Sequence, residues 1–487
     1  MFLELLSRLK YTSYLRKGAL DMDMLRDDKP KEECGVFGIY APEQEIARLT
    51  YYGLYALQHR GQESAGIAVS DGRKIQHYKG MGLVTEVFSD ETIDHLQGKM
   101  AIGHVRYSTT GSSLLTNAQP LVVYFQKGMM ALAHNGNLTN AGELREELGG
   151  QGTVFQTTID SEVILNMIAR YRRYNLEDAV IKTMIDLKGS YSLLIMAEDK
   201  IIGVRDPYGL RPLCIGRLGE RFCLASESCA LDTIGAEFVR DVEPGEVVTI
   251  DEKGLHSRQG LPCAKTAFCA FEYIYFARPD STMDNVNVWE ARHQMGVELA
   301  RECPVDADVI LAVPDSGTPS AIGYAHAMGI PFEEGLLKNR YVGRTFIQPT
   351  QEMREVAVRI KLNANSRVIK GRRVVMIDDS IVRGTTSSKL VEMVRNCGAK
   401  EVHLLISSPP VCYCCYYGID TAEREKLVAN KMSTEEIRKF VGADTLHYLS
   451  EEGLRRALGD NQVCLACFNG DYPVEIPQKF NKQDLER

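Results

Sequence analysis

The chain has 487 residues, 44% hydrophobic and 25% charged, with a formal net charge of -8 and a pI near 5.8. That length exceeds one ordinary core and predicts two or more domains of roughly 100 to 250 residues. The acidic balance excludes a sequence-independent grip on nucleic acid, and the lack of any run of about 18 apolar residues excludes a membrane-spanning helix.

Residues 1–33 form a mixed-charge leader. Its opening "MFLELLSRLKYTSYLRKG" carries Glu4, Arg8 and Lys10, where a secretory signal needs an unbroken apolar centre. It ends in the polar stretch "DMDMLRDDKPKEE" directly before Cys34. From Cys34 to about residue 262, short apolar runs alternate with Gly-rich breaks. Asp71-Gly72 and Pro244-Gly245 read as hairpin turns. Two stretches, "EIARLTYYGLYALQHRG" and "DSEVILNMIARYRRY", have apolar residues at helical spacing. The expected first domain, 34–262, is therefore α+β: stacked antiparallel sheets flanked by helices.

The pattern changes near "SRQGLPCAKTAF". Over 263–475, strands "DVILAV" (308–313), "RRVVMI" (372–377) and "EVHLLIS" alternate with helices expected at Thr318–Met328 and about Ser387–Asn396. That alternation predicts an α/β domain with a parallel sheet and ligands beyond the carboxyl ends of its strands. Residues 476–487 read as a frayed tail.

Cys34 has two readings, a buried strand thiol or a nucleophile. Cleavage after Glu33 would place an α-amino group, with a pKa of about 7.7 to 8.0, on the same residue as the thiol. Arg106 in "GHVRYSTTG" sits on a half-buried strand, where it needs a carboxylate partner. Asn135-Gly136 in "HNGNL" is either a hairpin turn or a pair of donors for an oxyanion. Asp160, before a helix, is either its N-cap or a carboxylate for an ammonium group.

Cys34-Gly35-Val36-Phe37-Gly38, Arg106-Tyr107-Ser108-Thr109, His134-Asn135-Gly136-Asn137 and Asp160, in that order, resemble the N-terminal-nucleophile glutamine amidotransferases. The resemblance implies the fold of those hydrolases over about 34–260. It also implies attack of Cys34 on the glutamine amide, a grip on the amino-acid end by Arg106 and Asp160, and an oxyanion hole at Asn135 and Gly136.

In "RRVVMIDDSIVRGTTSSKL", Asp378 and Asp379 fall at a strand's carboxyl end, suited to ribose hydroxyls and a Mg²⁺-bound ligand. Arg383, Gly384, Thr385, Thr386 and Ser387 then open a helix and offer a phosphate cradle, with neither a Walker A loop nor a G-x-G-x-x-G turn. This segment resembles the phosphoribosyl pyrophosphate (PRPP) motif of type I phosphoribosyltransferases. "AVPDSGTPSA", with Asp315, Ser316 and Gly317, resembles their pyrophosphate loop. The basic stretch 336–363 is either a solvated charged excursion or, as the resemblance implies, a closing loop that brings Lys338, Arg340 and Arg344 to the leaving pyrophosphate.

Joined in this order, the two halves resemble the glutamine PRPP amidotransferases. The resemblance implies transfer of ammonia from glutamine to C1 of PRPP, giving 5-phosphoribosylamine, glutamate and pyrophosphate at the start of purine synthesis. It further implies Mg²⁺ at Ser316, Asp378 and Asp379, and a homotetramer inhibited by purine nucleotides. Synthetases that share the glutaminase half need a sugar-isomerase or ATP-pyrophosphatase partner, and neither is found. A PRPP-sensing regulator has no use for the glutaminase set.

Thirteen cysteines in such a chain predict reduced thiols and a cytoplasmic location. Cys464-x-x-Cys467 alone fits zinc, a redox pair or an iron-sulfur ligand pair. One subgroup of the family carries a 4Fe-4S cluster and a removable leader, and its pattern matches Cys269, Cys415, Cys464 and Cys467. Cys412 and Cys414 leave the choice of the second ligand open. Cys214, Cys223, Cys229, Cys263, Cys303 and Cys397 read as packing residues.

Overall fold

The alternation of side chains along "GVFGIY" sets the layering of the first domain. In this computed structural model, which describes residues 34–107, 112–171, 173–339, 362–421, 423–459 and 461–477, that segment is strand β1 (Gly35–Tyr40). The leader 1–33, Ser108, Thr109, Arg340, Arg344 and nearly all of the tail lie outside the described residues. Phe37 and Ile39 enter a core with Leu54 of the helix Ile46–Ala56, whereas Val36 and Tyr40 share a second core with Ile102, Ala133 and Leu194. A strand buried on both faces needs apolar residues at every position or glycine where there is no room. Gly53 on the helix shows how close the layers come, since a Cβ there would lie 2.6 Å from the Phe37 ring.

The strands that follow are β2 (Ser64–Ser70), β3 (Ile75–Met81), β4 (Met100–Arg106), β5 (Leu121–Phe125), β6 (Gly128–Leu138) and β7 (Gly189–Met196). After them come β8 (Ile201–Arg205), β9 (Cys214–Leu218), β10 (Arg221–Ala225), β11 (Glu237–Asp241), β12 (Glu246–Asp251) and β13 (Gly254–Gln259). One sheet has the order β11-β9-β10-β1-β4-β2-β3 and the other β13-β12-β8-β7-β6-β5, with antiparallel pairing throughout. The sheets face each other across the core that contains Val36. Helices Asp160–Arg170 and Leu176–Asp186 cover the outer face of the second sheet through Val163, Ile164, Met167, Val180 and Met184. The order is helix, sheet, sheet, helix.

Asp71-Gly72 does turn the β2–β3 hairpin, but Pro244-Gly245 does not make one. It carries the chain from β11 in one sheet to β12 in the other, with Gly245 at φ +77° and its N–H on the Arg205 and Asp206 carbonyls. Turn residues report a reversal of direction; which strand pairs next depends on distant partners.

The second domain is built on a parallel sheet ordered Val309–Ala312, Arg373–Asp378, Glu401–Ile406, Thr445–Tyr448. Its core joins Leu311, Met376 and Leu404 to Leu390 and Val391 of the helix Thr385–Asn396. That helix starts two residues before the expected Ser387, after Gly384 at φ +82°. The helix Thr318–Met328 has the expected bounds, with Pro319 in its first turn and Gly329 at φ +67° closing it.

By compactness the described residues as far as Ala291 form one unit with Tyr413–Thr421 and the chain from Leu458 onward. Arg292–Cys412 and Ala422–Ala457 form the other. Among the described residues no helix is long and apolar enough to cross a membrane.

Candidate active sites

Cys34 heads β1 and is buried at 8% exposure, with its Sγ 3.5 Å from the Tyr107 carbonyl. Antiparallel register sets Gly35 opposite Val105, so the preceding residue comes beside Arg106 at the end of β4. Arg106 is buried, 3.8 Å from Glu63 Oε2 and 3.4 Å from the Ser112 carbonyl. Burial pushes the Cys34 thiol up to about 11. Tyr107 and Arg106 act in the opposite direction, and Asp160 and Glu63 reinforce the rise. At pH 7 such a thiol is overwhelmingly protonated. Attack therefore needs a base in reach.

Asp160 is the first residue of its helix rather than the N-cap, which is Ile159. Its Oδ2 accepts from the Leu138 N–H at 2.9 Å and its Oδ1 lies 3.6 Å from His134 Nδ1. Burial opposes its charge, yet His134 and the surrounding N–H groups hold the carboxyl below its ordinary value. Asp160 thus touches β6 on both sides of Asn135-Gly136. That pair is not a turn; it lies inside β6, with Gly136 opposite Tyr191 of β7. Gly136 has φ +143°, and a Cβ there would fall 2.2 Å from the Ser190 carbonyl, so only glycine fits. Asn135 Nδ2 is buried and makes no hydrogen bond among the described residues. A buried amide donor left unused carries a cost that a water or a bound acceptor relieves. His104, driven down to about 3 by burial, is neutral, and its Nε2–H donates to the His134 carbonyl at 3.0 Å. That bond ties β4 to β6 across the two sheets.

Sequence reasoning missed the charges beneath this site. Arg60 is fully buried, donates from Nε to the Cys34 carbonyl at 3.1 Å, and meets Glu227 at 2.6 Å and Glu272 at 2.6 Å. His59 Nε2 lies 2.7 Å from Glu227, and Arg211 Nη1 lies 3.5 Å from Glu272. The available signal was a lone acid, Glu272, inside the apolar run "CAFEYIYF".

In the second domain, parallel register sets Ala312 opposite Ile377, so the loops after these strands leave one sheet edge side by side. Asp378 and Asp379 are buried there; the Ser316 hydroxyl donates to Asp379 Oδ2, and Ser380 Oγ donates to Asp379 Oδ1 at 2.6 Å. A Cβ at Gly317 would lie 2.7 Å from the Ile377 carbonyl, which explains glycine in that loop. Lys338 Nζ is 2.5 Å from Asp315 Oδ2. Arg383, Gly384, Thr385, Thr386 and Ser387 run from the same edge into the helix Thr385–Asn396, with Ser387 buried.

Cys269, Cys415, Cys464 and Cys467 line one small cavity together with Arg211, Tyr417 and Tyr472. Strand Phe268–Cys269 pairs in parallel with Val463–Cys464, setting Cys269 opposite Cys464. Burial pushes Cys464 up to about 12 and Cys467 well above its ordinary value, and the neighbouring thiols add to both rises. Among the described residues no three His, Cys, Asp or Glu gather tightly enough to hold a single metal ion. Cys412 Sγ faces the Ala429 carbonyl at 3.8 Å, and neither it nor Cys414 lines the cavity. Cys214, Cys223 and Cys229 are buried packing residues and Cys303 and Cys397 are half-buried, but Cys263 is exposed, its Sγ 3.8 Å from the Thr266 hydroxyl. It lies in the polar connection after β13.

A glutamine amidotransferase domain family matches residues 104–233, and a phosphoribosyl transferase domain family matches 287–426. The chain is 52% identical to the amidophosphoribosyltransferase of Bacillus subtilis over 92% of its own length and 95% of that protein's. It is also 52% identical to the amidophosphoribosyltransferase of Archaeoglobus fulgidus over 91% of its length and 98% of that protein's. The solved glutamine PRPP amidotransferase of B. subtilis, complexed with ADP and GMP, superposes with a TM-score of 0.88 at 51% identity, covering 93% of this chain and all of that one. The chain therefore belongs to the amidophosphoribosyltransferase family, whose members join a glutamine amidotransferase to a phosphoribosyltransferase and carry out the first step of purine synthesis, the glutamine-dependent amination of PRPP.

Proposed function

We propose that the reaction is divided between a glutaminase domain over 34–262 and a phosphoribosyltransferase domain over 263–475, with the residue roles that follow. One observation carries the glutaminase half. A buried thiol, guanidinium and carboxylate act on one another's charge, and Asp160 contacts β6 on both sides of Asn135, whose buried Nδ2 has no acceptor among the described residues.

Removal of the leader 1–33 frees the α-amine of Cys34, which takes the thiol proton as sulfur attacks the glutamine side-chain carbonyl. The oxyanion is met by Asn135 Nδ2 and the Gly136 N–H. Collapse expels ammonia, the proton returning through the α-amine, and water then cleaves the thioester to glutamate. Arg106 holds the substrate carboxylate as a fork, and Asp160 holds its ammonium.

At the second site ammonia attacks C1 of PRPP and pyrophosphate leaves. Asp378 and Asp379 hold ribose hydroxyls, and the loop Arg383–Ser387 cradles the 5-phosphate at a helix start. Asp315, Ser316, Gly317 and Lys338 receive the pyrophosphate. Ser316, Asp378 and Asp379 are oxygen donors at one sheet edge, a set suited to Mg²⁺, which when bound supplies neutralising charge for the leaving group. Cys269, Cys415, Cys464 and Cys467 line one cavity, and four thiolates there would hold a 4Fe-4S cluster in a structural role. The ADP and GMP bound to the Bacillus relative support feedback by purine nucleotides. We assign a cytoplasmic homotetramer.

The test is glutamate release by anaerobically purified protein with and without PRPP and Mg²⁺, alongside intact mass and the Cys34→Ser variant. The expected result is PRPP-stimulated release from a chain starting at Cys34, abolished in Cys34→Ser while ammonia-dependent synthesis survives. No release from a folded, fully trimmed chain refutes the assignment.

A further inference from the structure

The four-thiol cavity and the oxyanion strand share a wall. Cys415 begins the segment Cys415–Gly418, and the Tyr417 N–H lies 3.3 Å from the Cys415 sulfur. Two consecutive carbonyls of this segment are held by side chains of the glutaminase fold. Asn137 Nδ2, two residues beyond Asn135 on β6, donates to the Tyr416 carbonyl at 2.9 Å. The Tyr417 carbonyl accepts from Ser190 Oγ at 2.6 Å, Arg211 Nε at 2.9 Å and Arg211 Nη2 at 2.5 Å. Three donors on one carbonyl oxygen exceed its two lone pairs, so this atom sits at a point of strong convergence. Ser190 Oγ in turn accepts from the Asn137 N–H at 3.2 Å.

Gly418, at φ +114°, follows directly. A Cβ there would lie 3.3 Å from the Gly136 carbonyl carbon, 3.4 Å from the Gly136 Cα and 3.4 Å from Arg211 Nη2. Arg211 lines the thiol cavity and pairs with Glu272, whose carboxylate also holds Arg60 against the Cys34 carbonyl. One continuous set of contacts runs from the Cys415 thiol to the Gly136 backbone and to the nucleophile.

We propose that Tyr416, Tyr417 and Gly418 are positioning residues for glutamine hydrolysis: the segment anchored at Cys415 backs the Asn135–Asn137 stretch of β6 and holds the oxyanion donors in place. This rests on the assignment of Asn135 and Gly136 as those donors. A displacement of about 1 Å in such donors lowers turnover by about 100-fold, whereas substrate affinity, set by Arg106 and Asp160, is left alone. The effect belongs in kcat, with KM for glutamine nearly constant.

Gly418→Ala and Ser190→Ala, purified anaerobically as full-length trimmed protein, test this. Glutamine-dependent and ammonia-dependent synthesis, kcat and KM for glutamine, iron content, and the rate of Cys34 alkylation by a diazoketone analogue of glutamine are measured. For Gly418→Ala, glutamine-dependent kcat falls at least tenfold and alkylation slows. KM stays within twofold, and ammonia-dependent synthesis and iron match the parent. Ser190→Ala, which removes one of three donors without backbone strain, lowers the same kcat two- to fivefold.

Unchanged glutamine kcat in both variants overturns the proposal, as does a parallel fall of both activities in Ser190→Ala with iron retained. Asn135→Ala separates the two layers of argument. If it leaves glutamine turnover intact, the oxyanion assignment fails. If it abolishes turnover while Gly418→Ala and Ser190→Ala are silent, only the positioning role fails. Absence of iron from the parent protein refutes the cluster and leaves the kcat test standing.

Discussion

Replacing Arg60 by methionine tests the buried charges under Cys34. Arg60, Glu227 and Glu272 have no side-chain exposure, and the two carboxylates lie 2.6 Å from the guanidinium. Methionine fills the stem but offers no donor. Removing one partner of a buried ion pair costs about 3–5 kcal/mol, because the other charge stays buried. Here Glu227 keeps His59 at 2.7 Å and Glu272 keeps Arg211 at 3.5 Å. The low end, about 3 kcal/mol, is therefore expected. With an m-value of about 2–3 kcal/mol/M, the urea midpoint moves down by about 1–1.5 M.

Trp289, the single tryptophan, belongs to the same compact unit and reports the transition by fluorescence. The pH dependence supplies a sign. Burial opposes the charge on Glu227, yet His59 and Arg60 hold its carboxyl well below the ordinary range. A depressed carboxylate contributes stability above its unfolded pKa of about 4.3 and loses it as pH falls. The gap between parent and variant should then be full at pH 7 and shrink below pH 4. Arg60→Lys, which keeps charge but not the fork, should recover part of it. A gap under about 1 kcal/mol at pH 7, or one that does not narrow in acid, would refute the reasoning.

Asn135→Ala should lower glutamine-dependent kcat by about 10²–10³ with KM little changed, the usual cost of one oxyanion donor, measured as glutamate release. Asp378→Asn should lower both glutamine- and ammonia-dependent synthesis by at least about 10², because both need PRPP held at the second site; sparing of either activity would count against that placement. Asp241 is raised to about 7 by burial and by the neighbouring Asp284 charge. A raised carboxyl favours the fold below its unfolded pKa, and that contribution is lost as pH rises through 7. Asp241→Asn should accordingly match the parent at pH 4 and exceed it at pH 8 by about 1–2 kcal/mol, a figure discounted for partial exposure, and equal denaturation midpoints at pH 8 would rule this out.

Local patterns carried much of this protein. Period-two and period-3.6 apolar spacing marked most strands and the helices Thr318–Met328 and Asp160–Arg170, because burial on one face acts over a few residues. The acids at a strand's carboxyl end were legible from the pattern of their strand, whereas Asn135-Gly136 read equally as a turn or as a donor pair until the family resemblance was drawn. Long-range pairing was not legible. Asn135-Gly136 has the composition of a hairpin turn, and only pairing with β7, more than fifty residues later, holds it in mid-strand. Pro244-Gly245 is also turn-like in composition and carries the chain between sheets instead.

The choice of Cys415 over Cys412 and Cys414 as a cavity residue was decided by which thiol the segment Tyr413–Thr421 turns toward Cys269, Cys464 and Cys467. Arg60 and Glu272 are separated by 212 residues, and no spacing rule links them. Residue type and near neighbours were enough to read most strands and helices, the order of the motifs and the two chemistries the family joins. Which buried charges compensate one another, and that the Tyr416 and Tyr417 carbonyls dock on Asn137, Ser190 and Arg211, depend on contacts that exist only once distant segments share a core.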